Sequence, residues 1–115
     1  MNKRTICISI PMSGYDMQLQ RLRATMWQHY FEALGYTVIN PFDLADKLKN
    51  AFENIAGREP TYDEYLHEDI VNIENECTDI FLANGWANSY GCMAEVDTSI
   101  KQNLKFHYEN KIIVG

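Results

Sequence analysis

Short β-branched runs alternate with helical periods along this chain, and that alternation restricts its fold more than any other feature. Residues 4–10 (RTICISI) read as a buried strand, and Pro11, Ser13 and Gly14 punctuate the loop that follows. A helix is predicted over 16–34. Leu19, Leu22, Met26, Tyr30 and Leu34 recur there at three- and four-residue steps, forming one apolar stripe of the kind a helix turns to a core. Ser13 and Asp16 supply cap chemistry at its start, and Gly35 is placed as its stop. Residues 36–40 (YTVIN) form a short second strand closed by Pro41, and a weaker amphipathic helix spans 43–55, ended by Gly57. Thr61 and Glu64 make a capping box for a third helix over 61–76. Residues 78–83 (TDIFLA) are the third strand. A fourth helix is expected over 89–104 with Met93, Val96, Ile100 and Leu104 facing inward, and residues 111–114 (KIIV) read as the last strand.

Strands that alternate with helices in a short chain predict a parallel sheet with helices on both faces, a three-layer α/β fold. Right-handed crossovers favour the flavodoxin-like order 2-1-3-4, for four or five strands. The switch point then lies between the first and third strands, where the loops 11–14 and 84–91 meet.

The 115 residues correspond to one domain. A hydrophobic fraction of 46% with 23% charged residues excludes a disordered chain. The net charge of −6 argues against binding a nucleic-acid polymer, whereas a helix terminus can still hold one small phosphate. From Glu59 to Asp79 there are eight carboxylates and no Lys or Arg, a pattern expected of a solvated face. Cys7, Cys77 and Cys92 cannot all pair with one another, and none sits at metal-ligand spacing. With no long apolar run and no leader-like N-terminus, the expectation is a cytoplasmic protein with no membrane partner, metal or cofactor.

The stretch from Gly85 to Glu95 is the most informative. Ser89 or Asn88 can cap the fourth helix, Gly91 opens its first turn to a ligand, and the helix N-terminus is expected to keep Glu95 ionised. An ionised carboxylate there is a nucleophile candidate. Pro11-Met12-Ser13-Gly14, Val38-Ile39-Asn40-Pro41, Asp69-Ile70 and Gly85-Trp86-x-x-Ser89-x-Gly91-x-x-x-Glu95 occur together in register. In this the chain resembles the nucleoside 2-deoxyribosyltransferase superfamily over nearly its whole length, and within it small bacterial and phage proteins that carry a domain of unknown function.

The resemblance implies that Glu95 attacks the anomeric carbon of a deoxynucleoside or deoxynucleotide and that Asp69 contacts and protonates the departing base. It implies that Ser89 and Gly91 hold a 5′-phosphate and that Pro11, Met12, Ser13 and Gly14 lie under the sugar. The chain departs from the pattern at Ile10, often glycine in that branch, and in having no arginine in the 11–14 loop. The transferases complete their site with a neighbour's C-terminal tail, and here nothing follows Gly115. Hydrolysis is therefore expected over transfer, with a non-catalytic nucleotide-binding module as the alternative from another class.

Trp86 suits either stacking on a base or covering the edge of the core. Tyr62 and Tyr65 are expected to pack rather than to line a pocket. His67 is expected at the surface, and His29 and His107 have no evident partner. Cys7 and Cys92 are expected as packing residues and Asp79 as structural. A homo-oligomer is expected by resemblance, and because Trp86 and tyrosine side chains could be covered by a second copy.

Overall fold

The computed structural model describes residues 3–114. In chain order the elements are β1 (Thr5–Ser9), α1 (Met17–Ala33), β2 (Thr37–Ile39), α2 (Pro41–Ile55), α3 (Tyr62–Glu76), β3 (Asp79–Leu82), α4 (Tyr90–Lys101), β4 (Lys105–Tyr108) and α5 (Glu109–Val114). The four strands form one parallel sheet in the order β2-β1-β3-β4. The architecture is the three-layer α/β fold predicted from the alternation. Among the described residues no helix is long and apolar enough to cross a membrane.

Strand alternation divides the core into two halves. Ile6, Ile8, Ile10 and Phe81 face α1 and α5, and meet Ala24, Phe31, Trp27 and Ile112. Cys7, Ile80 and Leu82 face α3 and α4, and meet Ile73 and Val96. Phe81 lies 4.6 Å from Trp27 and 5.2 Å from Phe31 between ring centroids. The small Ala24 lets α1 approach the sheet closely enough for these contacts.

The helix starts follow the local signals. Asp16 accepts from the N–H groups of Gln18 and Leu19, and Gly35 takes the left-handed conformation past the end of α1. The Thr61–Glu64 capping box is present. Helix α2 begins earlier than expected, because Asn40 caps it by accepting from the N–H of Phe42 and Pro41 fills the first helical position.

Three expectations need correction. Residues 111–114 are not a strand: they belong to α5, and the fourth strand is Lys105–Tyr108, in register with Asp79–Leu82. Helix α4 stops at Lys101, and Asn103, at φ 59°, turns the chain into that strand. Phe106 and Tyr108 then cover one face of the sheet, while His107 reaches Asp79 on the other. The aliphatic run after it makes a helical turn that returns Ile112 to the core. Second, the stripe Leu19, Leu22, Met26, Tyr30 and Leu34 is exposed, and the inward face of α1 is Gln20, Ala24, Trp27 and Phe31. Third, Met93 and Ile100 of α4 are exposed, and its buried side is Cys92, Glu95, Val96 and Ser99. In α1 and α4 alike, a polar residue that makes a specific buried contact occupies the inward face. Gln20 donates to the Pro11 carbonyl, and Glu95 accepts from Ser9.

Candidate active site

The loops after β1 and β3 are pressed together at the carboxyl end of the sheet. Gly85 stands at φ +93°, and a Cβ on it would lie 2.7 Å from Tyr15 Oη and 3.3 Å from Pro11 Cγ. The left-handed backbone favours glycine there, and any added Cβ would displace the Tyr15 hydroxyl. Behind the loops runs a chain of buried polar contacts. Gln20 Nε2 donates to the Pro11 carbonyl at 2.5 Å, and Arg23 Nη1 donates to Gln20 Oε1 at 2.9 Å. Arg23 Nη2 reaches Glu109 Oε1 at 3.0 Å, and that same oxygen accepts from the Asn84 N–H at 3.0 Å. Both loops are thereby tied to α1 and α5 through one network of charge-assisted bonds.

In front of the loops stand two carboxyl groups. Glu95 projects from the buried side of α4 and accepts from Ser9 Oγ at 2.5 Å. Asp69 projects from α3 beside it, and the two line one recess with Cys7, Ser9 and Ile73. Burial first, and then the neighbouring Asp69 charge, push the Glu95 carboxyl well above the usual carboxylate range. Burial also raises Asp69, to about 6, against the opposing effect of its hydrogen bond with Glu95. Burial beside a second acid thus favours the protonated form most strongly at Glu95, as expected of like charges sharing a site. The expectation that the helix N-terminus keeps Glu95 ionised is overturned: the residue sits beyond the first turn, where the dipole fades, and desolvation dominates.

The recess opens into a cavity of about 630 Å³ walled by α1, α2, α3 and the two loops. Pro11, Met12, Ser13, Ser89, Gly91, Asp69 and Glu95 all line it. Gly14 and Trp86 are not among the described lining residues. Trp86 instead packs into the second half of the core, 6.1 Å from Tyr108. Tyr62 and Tyr65, expected as packing residues, are walls of the cavity. Tyr62 lies 6.4 Å from Tyr90, and a Cβ on Gly91 would come 3.3 Å from its hydroxyl. Ser89 is the N-cap of α4 and accepts from the N–H of Cys92 at 3.2 Å. Its hydroxyl is engaged by the helix, and the N–H groups of Tyr90 and Gly91 remain as first-turn donors. Cys92 is buried, and burial raises its thiol pKa.

Sequence reasoning missed Arg21. It is the one cation among the described residues that line the cavity. Its guanidinium makes two bonds to Asp46, at 2.8 and 3.1 Å, and lies 4.9 Å from the centre of the Phe42 ring. The signal available was its place in the second turn of the helix that leaves the 11–14 loop, off the apolar stripe.

His107 does have a partner. At the opposite end of the sheet its Nε2 lies 2.7 Å from Asp79, whose carboxylate also accepts from Arg4 at 2.8 Å and from Thr78 at 2.6 Å.

These features define a doubly wound α/β domain with an acidic cavity at its switch point, the position where such folds bind their ligands. The chain belongs to the family described as a domain of unknown function, DUF4406, whose pattern matches residues 4–108. No curated protein matches it in sequence.

Proposed function

We propose that this protein cleaves the N-glycosidic bond of a 2′-deoxynucleoside 5′-monophosphate or deoxynucleoside, with Glu95 as nucleophile and Asp69 as proton donor. The observation that carries the reading is the Glu95–Asp69 pair of buried carboxyls, which together line a cavity of nucleotide size. It agrees with the resemblance of the loop motifs to the nucleoside 2-deoxyribosyltransferases.

The chemistry starts with Asp69 protonated and Glu95 as the carboxylate. One of its oxygens bonds to C1′ while the C1′–N bond breaks. The bonding pair stays on the base nitrogen, and the base takes the Asp69 proton. Water then attacks C1′ and loses a proton to Asp69, and the ester bond breaks to return the Glu95 carboxylate. Ser9 fixes the carboxyl orientation throughout. The apolar walls of α2 and the rings of Tyr62 and Tyr65 suit a base. The first-turn N–H groups of α4, with Ser13 and Arg21, suit a phosphate.

The test is incubation with a panel of deoxynucleosides and their 5′-monophosphates, scored by chromatography for free base. Release of free base together with free sugar supports hydrolysis. Exchange only in the presence of a second base supports a deoxyribosyltransferase instead. Binding without release of base supports a nucleotide-binding module. Calorimetry of a nucleoside and its monophosphate measures the phosphate contribution, which Arg21→Met is expected to reduce by about 1–2 kcal/mol.

A further inference from the structure

The exposed side of α1 carries a stripe of five large apolar side chains. Leu19, Leu22, Met26, Tyr30 and Leu34 are 54, 56, 62, 41 and 60% exposed. Together they leave roughly 500 Å² of apolar surface open, in the range at which a patch on a lone domain signals contact with another molecule.

We propose that this face pairs with the same face of a second copy, α1 against α1, antiparallel about a two-fold axis at Met26. Three observations select that occupant. The stripe is close to its own complement: Leu22 and Tyr30 stand four residues to either side of Met26, and Leu19 and Ala33 seven. Antiparallel pairing therefore sets Met26 on Met26 and the Leu19 end of one helix on the Leu34 end of the other, as an isologous interface requires. Second, the charges suit a copy. The chain carries a net charge of −6, yet no carboxylate occurs from Met17 to Phe31. The two arginines of that stretch are already neutralised within their own chain, Arg21 by Asp46 and Arg23 by Glu109. Two acidic molecules can thus approach along α1 without like charges meeting. Third, the exposed residues Gln18, Thr25, His29 and Ala33 flank the stripe and widen the surface that a copy could cover.

Trp86 has no part in this contact, since it is held in the core of its own chain. Arg21 and Met17 line the cavity from another side of the same helix, so the pairing leaves the cavity open.

The experiment is light scattering of the purified full chain across a concentration series. The wild type is expected at twice the chain mass, and Met26→Glu at the chain mass with an unchanged circular dichroism spectrum. Met26→Cys, under mild oxidation, is expected to give a covalent dimer that the wild type, with its own three cysteines, does not form. A wild type that stays monomeric throughout overturns the proposal. So does a Met26→Glu protein that remains dimeric, or a folded Met26→Cys protein that fails to cross-link faster than the wild type.

Discussion

Asp79 and Glu95 are both buried acids on one small sheet, 0 and 8% exposed, and they behave in opposite ways. Asp79, at the amino end, is surrounded by donors: Arg4, His107 and Thr78. Burial acts to raise its pKa, and the bonds from His107, Thr78 and Arg4 together more than reverse that, holding the carboxyl below its usual range. Glu95, at the carboxyl end, has Ser9 as donor and a second acid as neighbour, and its pKa goes up. The difference teaches that burial alone does not make a carboxyl reactive. The company it keeps decides: a fully satisfied anion stabilises the fold, whereas a poorly satisfied pair retains a proton that it can give or take.

The comparison breaks most sharply at Glu95. Glu95→Gln is expected to keep ligand binding and the folded spectrum while lowering turnover by about 10³-fold or more, about 4 kcal/mol of transition-state stabilisation. Single-turnover release of base, alongside calorimetric binding, measures both. Undiminished turnover would remove Glu95 from the chemistry. At the other end of the sheet, Asp79→Ala leaves the Arg4 guanidinium, the Thr78 hydroxyl and His107 without their acceptor. It is expected to lower the unfolding free energy by about 3 kcal/mol in urea, with no change in the cavity.

The two ends also differ in pH response. A carboxyl whose folded pKa is raised binds its proton more tightly in the folded state, so its contribution to stability is present in acid and is lost as pH rises. For Asp69 that loss falls between the ordinary value of about 4 and about 6, and amounts to on the order of 3 kcal/mol. Asp79 has the opposite sign: its contribution is present above the ordinary range and is lost as pH falls through it. Denaturation of wild type and Asp69→Asn at a series of pH values tests this. The difference between them should change across that window, whereas Asp79→Asn should differ from wild type throughout it and above, with the difference shrinking only below it. The smallest effect is expected at Ser89. Ser89→Ala removes the cap of α4 and should cost about 1 kcal/mol of stability, together with part of any preference for a monophosphate.

The strand order, the capping box at Thr61 and the meeting of the two loops were legible because each has a short-range physical signature. The inward faces of α1 and α4 were not. Helix α1 carries two stripes at the same period, Leu19/Leu22/Met26/Tyr30 and Gln20/Ala24/Trp27/Phe31, and periodicity cannot say which one the sheet accepts. The choice falls to Gln20, whose amide is needed at the Pro11 carbonyl, and to the small Ala24. At the C-terminus, a β-branched run masked a strand made of Lys, Phe, His and Tyr. That strand becomes visible only through its pairing with β3 and the reach of His107 to Asp79. Glu95 was singled out from the Gly85–Glu95 stretch and Asp69 from the family resemblance, but their juxtaposition depends on two helices meeting, which no local window contains. Arg21 and the tyrosines of α3 were missed for a similar reason, because a cavity wall is assembled from separate segments of the chain.

Glu109 gives the contact between α5 and the Asn84 loop a practical meaning. The family pattern ends at Tyr108, so a domain boundary drawn there would retain every strand and both acids. It would nonetheless remove the single carboxylate oxygen that receives both Arg23 and the Asn84 amide. A chain trimmed at that boundary should fold with its sheet intact and lose the rigidity of its mouth, with faster hydrogen exchange at Asn84 and Gly85 than in the longer chain. That result would make the smallest unit that folds shorter than the smallest unit that holds its site in order.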